Sequence, residues 1–311
     1  MNKSILLALG LLINLSLFSQ TSIKNNQMDQ KQIEKKVENE IKAFVYAWYS
    51  RFDKGTSMDE LKPFLPDDTV EFVYPTATLN SVEELVKYAE VTFSYIEEST
   101  HYINEIFVYK IDENMYEIIC PHTYHALQAD GNIITMDFIG RMRLQKDLKT
   151  KNDPSGELLK VIAYKVVLQN TPNESSLENI KKTKQGNFSY TDVKSFVHQW
   201  FAFIDGGQAD NLMEITSNES LNINILGNEI TEKEALKGFL LAQKASQNYS
   251  THTPSNITIE KADNGFKVSF VLHFEGDIKE MGKMSLSNIT KWILIEEDGK
   301  LKLSEYTLDI L

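Results

Sequence analysis

The chain repeats itself. Residues 44–55 read FVYAWYSRFDKG and residues 196–207 read FVHQWFAFIDGG, so Phe44/Phe196, Val45/Val197, Trp48/Trp200, Asp53/Asp205 and Gly55/Gly207 are identical at an offset of 152. The series stays collinear. Ser81-Val-Glu-Glu84 and Thr231-Glu-Lys-Glu234 both read as capping boxes. Ser99-Thr100-His101 matches Ser250-Thr251-His252, and His122 is paired with His273 at the same offset of 151. Leu159-Lys160-Val161 with Tyr164 matches Leu301-Lys302-Leu303 with Tyr306 at an offset of 142, because copy one carries an extra polar stretch around Lys149–Gly156. Insertions of that kind sit in surface loops. Two tandem copies follow, at 30–170 and 188–311, joined by a polar linker at 171–187.

Periodicity gives the elements. Val37, Ile41, Phe44, Val45, Trp48 and Phe52 form one apolar helical face, and Val193, Phe196, Val197, Trp200, Phe201 and Ile204 repeat it. Gly55 fits the residue just past the helix end. A short strand at Thr69–Tyr74, matched by Ser220–Ile225, precedes a helix from Val82 to Tyr95. Strand signals follow at Ile103–Ile111, Met115–Leu127, Ile133–Leu144 and Leu158–Leu168. Copy two shows them at Ile257–Lys261, Phe266–Glu275, Met281–Ile295 and Leu301–Leu311. Helices first and antiparallel strands after them predict an α+β fold, with helices on one face of a sheet.

Composition narrows the function. The 311 residues carry a net charge of −12 and only three arginines, Arg51, Arg141 and Arg143, so no basic face for nucleic acid exists. Cys120 is the only cysteine, which excludes an intrachain disulfide. Lys3 followed by an apolar run from Ile5 to Phe18 predicts a signal peptide at 1–19, cleaved after Ser19, with an uncleaved anchor as the alternative. The mature chain is then exported, periplasmic or extracellular, with no membrane insertion after cleavage. Phosphate-binding glycine loops, dinucleotide fingerprints, nucleophile motifs and zinc-ligand spacings are absent from the sequence, so no cofactor or metal is expected.

The order of these features resembles the nuclear transport factor 2-like superfamily, in particular its SnoaL-like branch: a Trp-bearing first helix ending in Asp-x-Gly, a Thr-Val-Glu strand, a helix, and a Ser-Thr-His entry into a long sheet. The resemblance implies two tandem cone-shaped domains, each with N-terminal helices packed on a curved antiparallel sheet around a pocket. It also implies pairing through the sheets, as an intramolecular pseudo-dimer or a homodimer. Ketosteroid isomerases of this superfamily carry their catalytic Asp directly after the Thr-Val-Glu stretch. Phe72 and Ile223 stand there in this chain, which disfavours that mechanism.

Candidate site residues come from strand register. With Glu113-Asn114 as a two-residue hairpin loop, His122 lies opposite Glu105. His101 is then on the same face, about 13 Å away. With Asp130-Gly131 as the next loop, Tyr124 lies opposite Asp137. His122, Tyr124 and Asp137 thus form a candidate acid–base group in copy one. Trp48, His101, Trp200, His252 and His273 are candidate pocket-lining residues, with core packing the favoured alternative for Trp48 and Trp200, which fall on the periodic apolar face. Asp53 and Asp205 read as turn-forming, His125 as structural on the opposite face, and His198 as exposed. Three readings follow in this order: an exported protein that holds a small apolar ligand without catalysis, an interaction scaffold, and a cyclase, dehydratase or isomerase.

Overall fold

A computed structural model describes residues 25–170 and 176–310; the expected signal peptide at 1–19 lies outside the described residues. The chain divides into two compact units. One is Ile41–Ser195, and the other is Met1–Glu40 together with Phe196–Leu311. Helices α1 (Asn25–Asp53) and α5 (Tyr190–Gly206) therefore each contribute to both units. Each unit is α+β, with helices packed on a curved, largely antiparallel sheet.

In unit Ile41–Ser195 the Ile41–Asp53 half of α1 is followed by a helical turn α2 (Met58–Leu61), β1 (Thr69–Tyr74), β2 (Ala77–Ser81) and α3 (Val82–Tyr95). Then come β3 (Ile96–Ile103), β4 (Phe107–Asp112), β5 (Met115–Gln128), β6 (Ile133–Gln145) and β7 (Lys160–Asn170). The sheet runs β2-β1-β7-β6-β5-β3, with β4 also on β5, and only the β1–β7 pair is parallel. The stretch read as a linker contains a short helix, α4 (Leu177–Lys182), and a small hairpin of β8 (Lys184–Gln185) and β9 (Phe188–Ser189). The other unit repeats the plan with α6 (Ala209–Glu214), β10 (Asn222–Ile225), β11 (Asn228–Ile230), α7 (Lys233–Ala245), β12 (Gln247–Ala262), β13 (Gly265–Ile278), β14 (Gly282–Glu297) and β15 (Lys300–Ile310). Its sheet order is β11-β10-β15-β14-β13-β12.

Local chemistry sets the element ends. The periodic apolar face of α1 buries Ile41, Val45, Trp48 and Tyr49. After Asp53 the Thr56 N–H bonds Arg51 O and the Gly55 N–H bonds Phe52 O, with Gly55 at φ 60°. That is a Schellman turn, which needs a left-handed residue and is cheapest with glycine. Gly207 repeats it at φ 67°, with Gln208 N–H on Phe203 O. The inserted loop of the first unit folds around Asp153, whose carboxylate takes Lys160 Nζ at 2.5 Å and the Leu158 N–H at 3.0 Å.

Two strand expectations need correction. The expected strand Ile103–Ile111 is two strands, β3 and β4, interrupted at 104–106. The sequence signals also missed β2 and β11, whose three to five residues are too short for a clear alternation. The expected caps differ as well. Ser81 caps α3, accepting from Glu84 N–H at 3.2 Å while the Glu84 carboxylate accepts from Asn80 N–H at 2.7 Å. Thr231 does not cap α7, because the helix starts after Glu232 and has no side-chain cap bond. Ser81→Ala should therefore cost about 1 kcal/mol in urea unfolding, and Thr231→Ala less than about 0.5 kcal/mol.

Candidate functional site

Asp53 is the last residue of α1 and His101 lies in β3. Asp53 Oδ2 accepts the His101 backbone N–H at 2.8 Å, and Oδ1 accepts His101 Nδ1–H at 2.6 Å and Ser99 Oγ–H at 3.3 Å. A carboxylate at a helix C-terminus works against the helix dipole. Three donors from one strand offset that, and they fix the His101 ring with Nε2 pointing away from Asp53. Asp53 therefore joins helix to sheet and orients an imidazole, a larger part than the turn-forming one expected.

His101 lies on the wall of a cavity of about 580 Å³ lined by side chains of unit Ile41–Ser195 alone. His122 and Tyr124 share that wall. The ring centroids of His101 and His122 are 5.5 Å apart, and those of His101 and Tyr124 are 4.8 Å apart. The expected separation of about 13 Å is thus overturned. The Glu113-Asn114 loop is as expected, with Asp112 opposite Met115, but a bulge before Asp112 and the break after β3 shift the register. His122 is opposite Ile103, His101 is opposite Tyr124, and Glu105 is exposed.

Asp137 does not join the group. The second hairpin leaves five residues between Leu127 and Ile133, so Asp137 is opposite Thr123 and Tyr124 is opposite Met136. One residue of register moves a side chain to the other face. Asp137 accepts Thr123 Oγ1–H at 2.7 Å on the sheet side away from the cavity. His125 is structural as expected and bonds Thr135 Oγ1 at 2.9 Å. His198 is buried, not exposed, with Nδ1 on Asn39 Oδ1 at 3.0 Å.

The polar end of the cavity is held by aromatic packing. Tyr49 lies 4.8 Å from the His101 ring and 4.9 Å from His122, and its hydroxyl meets the Tyr164 hydroxyl at 3.1 Å. Gly140 permits this, since a Cβ there would stand 2.5 Å from the Tyr49 hydroxyl and 3.3 Å from the His122 ring. Burial keeps the Tyr49, Tyr124 and Tyr164 hydroxyls protonated, well above the usual phenol range. Burial, with His101 alongside, lowers His122 to about 3, so its ring is neutral. His122 Nδ1–H donates to the Cys120 carbonyl at 3.0 Å. The rest of the wall is largely aromatic: Trp48, Phe52, Tyr74, Tyr88, Phe93 and Phe138 contribute.

The second unit keeps the joint and packs larger rings beside it. Asp205 Oδ1 accepts His252 Nδ1–H at 2.6 Å, and His252 stacks on Phe201 at 5.5 Å. The registers equate Tyr124 with Phe274, His122 with Leu272, Gly140 with Thr290, Cys120 with Phe270 and Met142 with Trp292. Trp292 is 1% exposed and packs on Trp200, Phe201 and Phe270 at 5.6, 5.7 and 4.9 Å. Trp200 and His252 are therefore core, not pocket wall. His273 was matched to His122 and expected in a pocket. It corresponds to Thr123 and lies on the outer sheet face, bonded to Ser287 Oγ at 3.1 Å.

Neutral burial of His122 makes stability depend on pH. The unfolded chain binds a proton at this histidine near pH 6.5, while the folded chain does so only near pH 3. Between those values the unfolded state holds more protons, so stability rises with pH and is lost as pH falls from 6.5 towards 3. The slope from this residue is at most about 1.4 kcal/mol per pH unit. Urea unfolding at pH 4 to 7 should show a shallower acid loss for His122→Leu than for the wild type.

No protein-family profile matches the chain, and no curated protein matches it. Solved structures do. A scytalone dehydratase-like protein from Novosphingobium aromaticivorans is 13% identical, over 49% of this chain and 92% of its own, with a TM-score of 0.35. A nuclear transport factor 2-like superfamily protein from Salmonella enterica serovar Typhimurium is 9% identical, over 49% and 96%, with a TM-score of 0.34. A hexachlorocyclohexane dehydrochlorinase (LinA) type 2 is 12% identical, over 50% and 95%, with a TM-score of 0.34. Each of these solved structures is matched over about half of this chain.

Proposed function

We propose that unit Ile41–Ser195 binds a small, largely apolar molecule in its cavity and performs proton-transfer chemistry on it, as a lyase or isomerase does. The observation that carries this reading is the Asp53–His101 pair at 2.6 Å, set in the wall of a cavity of about 580 Å³. Cavities of this size and apolar character take drug-sized ligands. A histidine held in one orientation by a carboxylate has the geometry of a general base. His101 Nε2 takes a proton from a carbon beside a carbonyl, and the Asp53 carboxylate stabilises the imidazolium that forms. Tyr124 and the one member of the Tyr49–Tyr164 pair whose proton is not used in their mutual bond supply neutral hydroxyl donors to the developing oxyanion. In the second unit Leu272 and Phe274 stand where His122 and Tyr124 do in the first, so its counterpart lacks this imidazole and this hydroxyl. The signal-like pattern of Lys3 and Ile5–Phe18 supports placing this activity outside the cytoplasm.

A second reading, binding without turnover, is favoured by one observation. The His–Asp pair recurs at His252–Asp205, where His252 is packed against Phe201 and the pair serves the fold. The two readings separate in one experiment. The full chain is incubated in D₂O with a panel of neutral cyclic hydroxyketones, and mass spectrometry follows deuterium uptake or loss of water. His101→Ala and Asp53→Asn should slow turnover about 10²- to 10⁴-fold, and Asp137→Asn should leave it within about twofold. Full turnover by His101→Ala would sink the catalytic reading. Stoichiometric binding with no exchange would establish the second.

A further inference from the structure

The histidine that catalysis does not use has a fixed polarity. A carbonyl oxygen only accepts, so the bond from His122 Nδ1 to Cys120 O at 3.0 Å places the ring proton on Nδ1. Nε2 is then a lone-pair acceptor. His122 is 3% exposed yet lines the cavity, and its Nε2 has no hydrogen-bond partner among the described residues. A second proton on this ring is opposed by burial and by His101, 5.5 Å away. No lysine or arginine is among the residues that line the cavity, and the Asp53 carboxylate stands directly behind His101. An anionic ligand would lose its hydration and meet no lysine or arginine there.

We infer that the cavity selects an uncharged ligand carrying a hydroxyl group, and that His122 Nε2 accepts the hydrogen bond from that hydroxyl. His122 is in this sense a specificity residue, distinct from His101, which handles the proton. The second unit shows what the position is without this function: Leu272 occupies it, 2% exposed. The inference rests on the reading that the cavity binds small molecules, and discrimination follows from ordinary hydrogen-bond energetics. A ligand of the same shape without the donor leaves Nε2 dry and unpaired, which costs about tenfold in affinity.

The test is fluorescence titration of the full chain with three pyrene probes of one shape. 1-Hydroxypyrene carries the donor, 1-methoxypyrene lacks it, and pyrene-1-carboxylate is an anion. Wild type should bind 1-hydroxypyrene about tenfold more tightly than 1-methoxypyrene, with pyrene-1-carboxylate weakest. In His122→Leu the hydroxyl preference should fall to near one, with 1-methoxypyrene bound at least as well as before. His122→Gln, which keeps an acceptor oxygen, should recover part of the preference. Equal affinity of wild type for the hydroxyl and methoxy probes, or tighter binding of the carboxylate, overturns the inference and leaves the cavity reading standing. Failure of all three probes to bind overturns the cavity reading and the inference with it.

Discussion

Each unit depends on one carboxylate at the end of its first helix. Asp53 and Asp205 sit where the helix dipole is unfavourable to negative charge, and each is held by a backbone N–H and an imidazole N–H of the incoming strand. The bond lengths to the rings are 2.6 Å in both. This contact fixes the helix end against the first long strand, and the Schellman glycines Gly55 and Gly207 turn the chain away immediately after it. Without the two rings the carboxylates would be buried with too few donors, a cost that folding could not carry lightly.

On that shared frame the two units diverge by a few side chains. Tyr49 with Gly140 stands against Phe201 with Thr290, and Cys120 and Met142 stand against Phe270 and Trp292. The second set is larger, and its Phe201, Phe270 and Trp292 pack ring on ring. The first set is smaller, and in that unit Tyr49, His101, His122, Tyr124 and Tyr164 line the cavity. Close-packed interiors do not keep such volume by accident, since unfilled space forfeits dispersion contacts. The helix–sheet joint is duplicated, and the exchanges around it set the first unit's histidine- and tyrosine-lined cavity apart from the ring packing of the second.

Much of this was legible in the sequence. The repeat gave two units of one plan, and β1 and α3 fall at the residues the periodicity and the Ser81 cap indicated. Register was not legible. Alternation places side chains on faces only between bulges, and the bulge before Asp112 leaves no mark in composition. That shift brought His101 beside His122, and the longer second hairpin turned Asp137 outward. A signal for the true pair was available. Asp53/Asp205 and His101/His252 are polar identities in an otherwise loose repeat, and such residues are a natural pair.

The two units share a frame, and the cavity described lies in unit Ile41–Ser195. Calorimetric titration of the full chain with 1-hydroxypyrene counts the sites directly. The account predicts one molecule bound per chain, with binding lost in Gly140→Leu, whose side chain would displace the Tyr49 hydroxyl. Two molecules per chain, or one that survives Gly140→Leu unchanged, would contradict it.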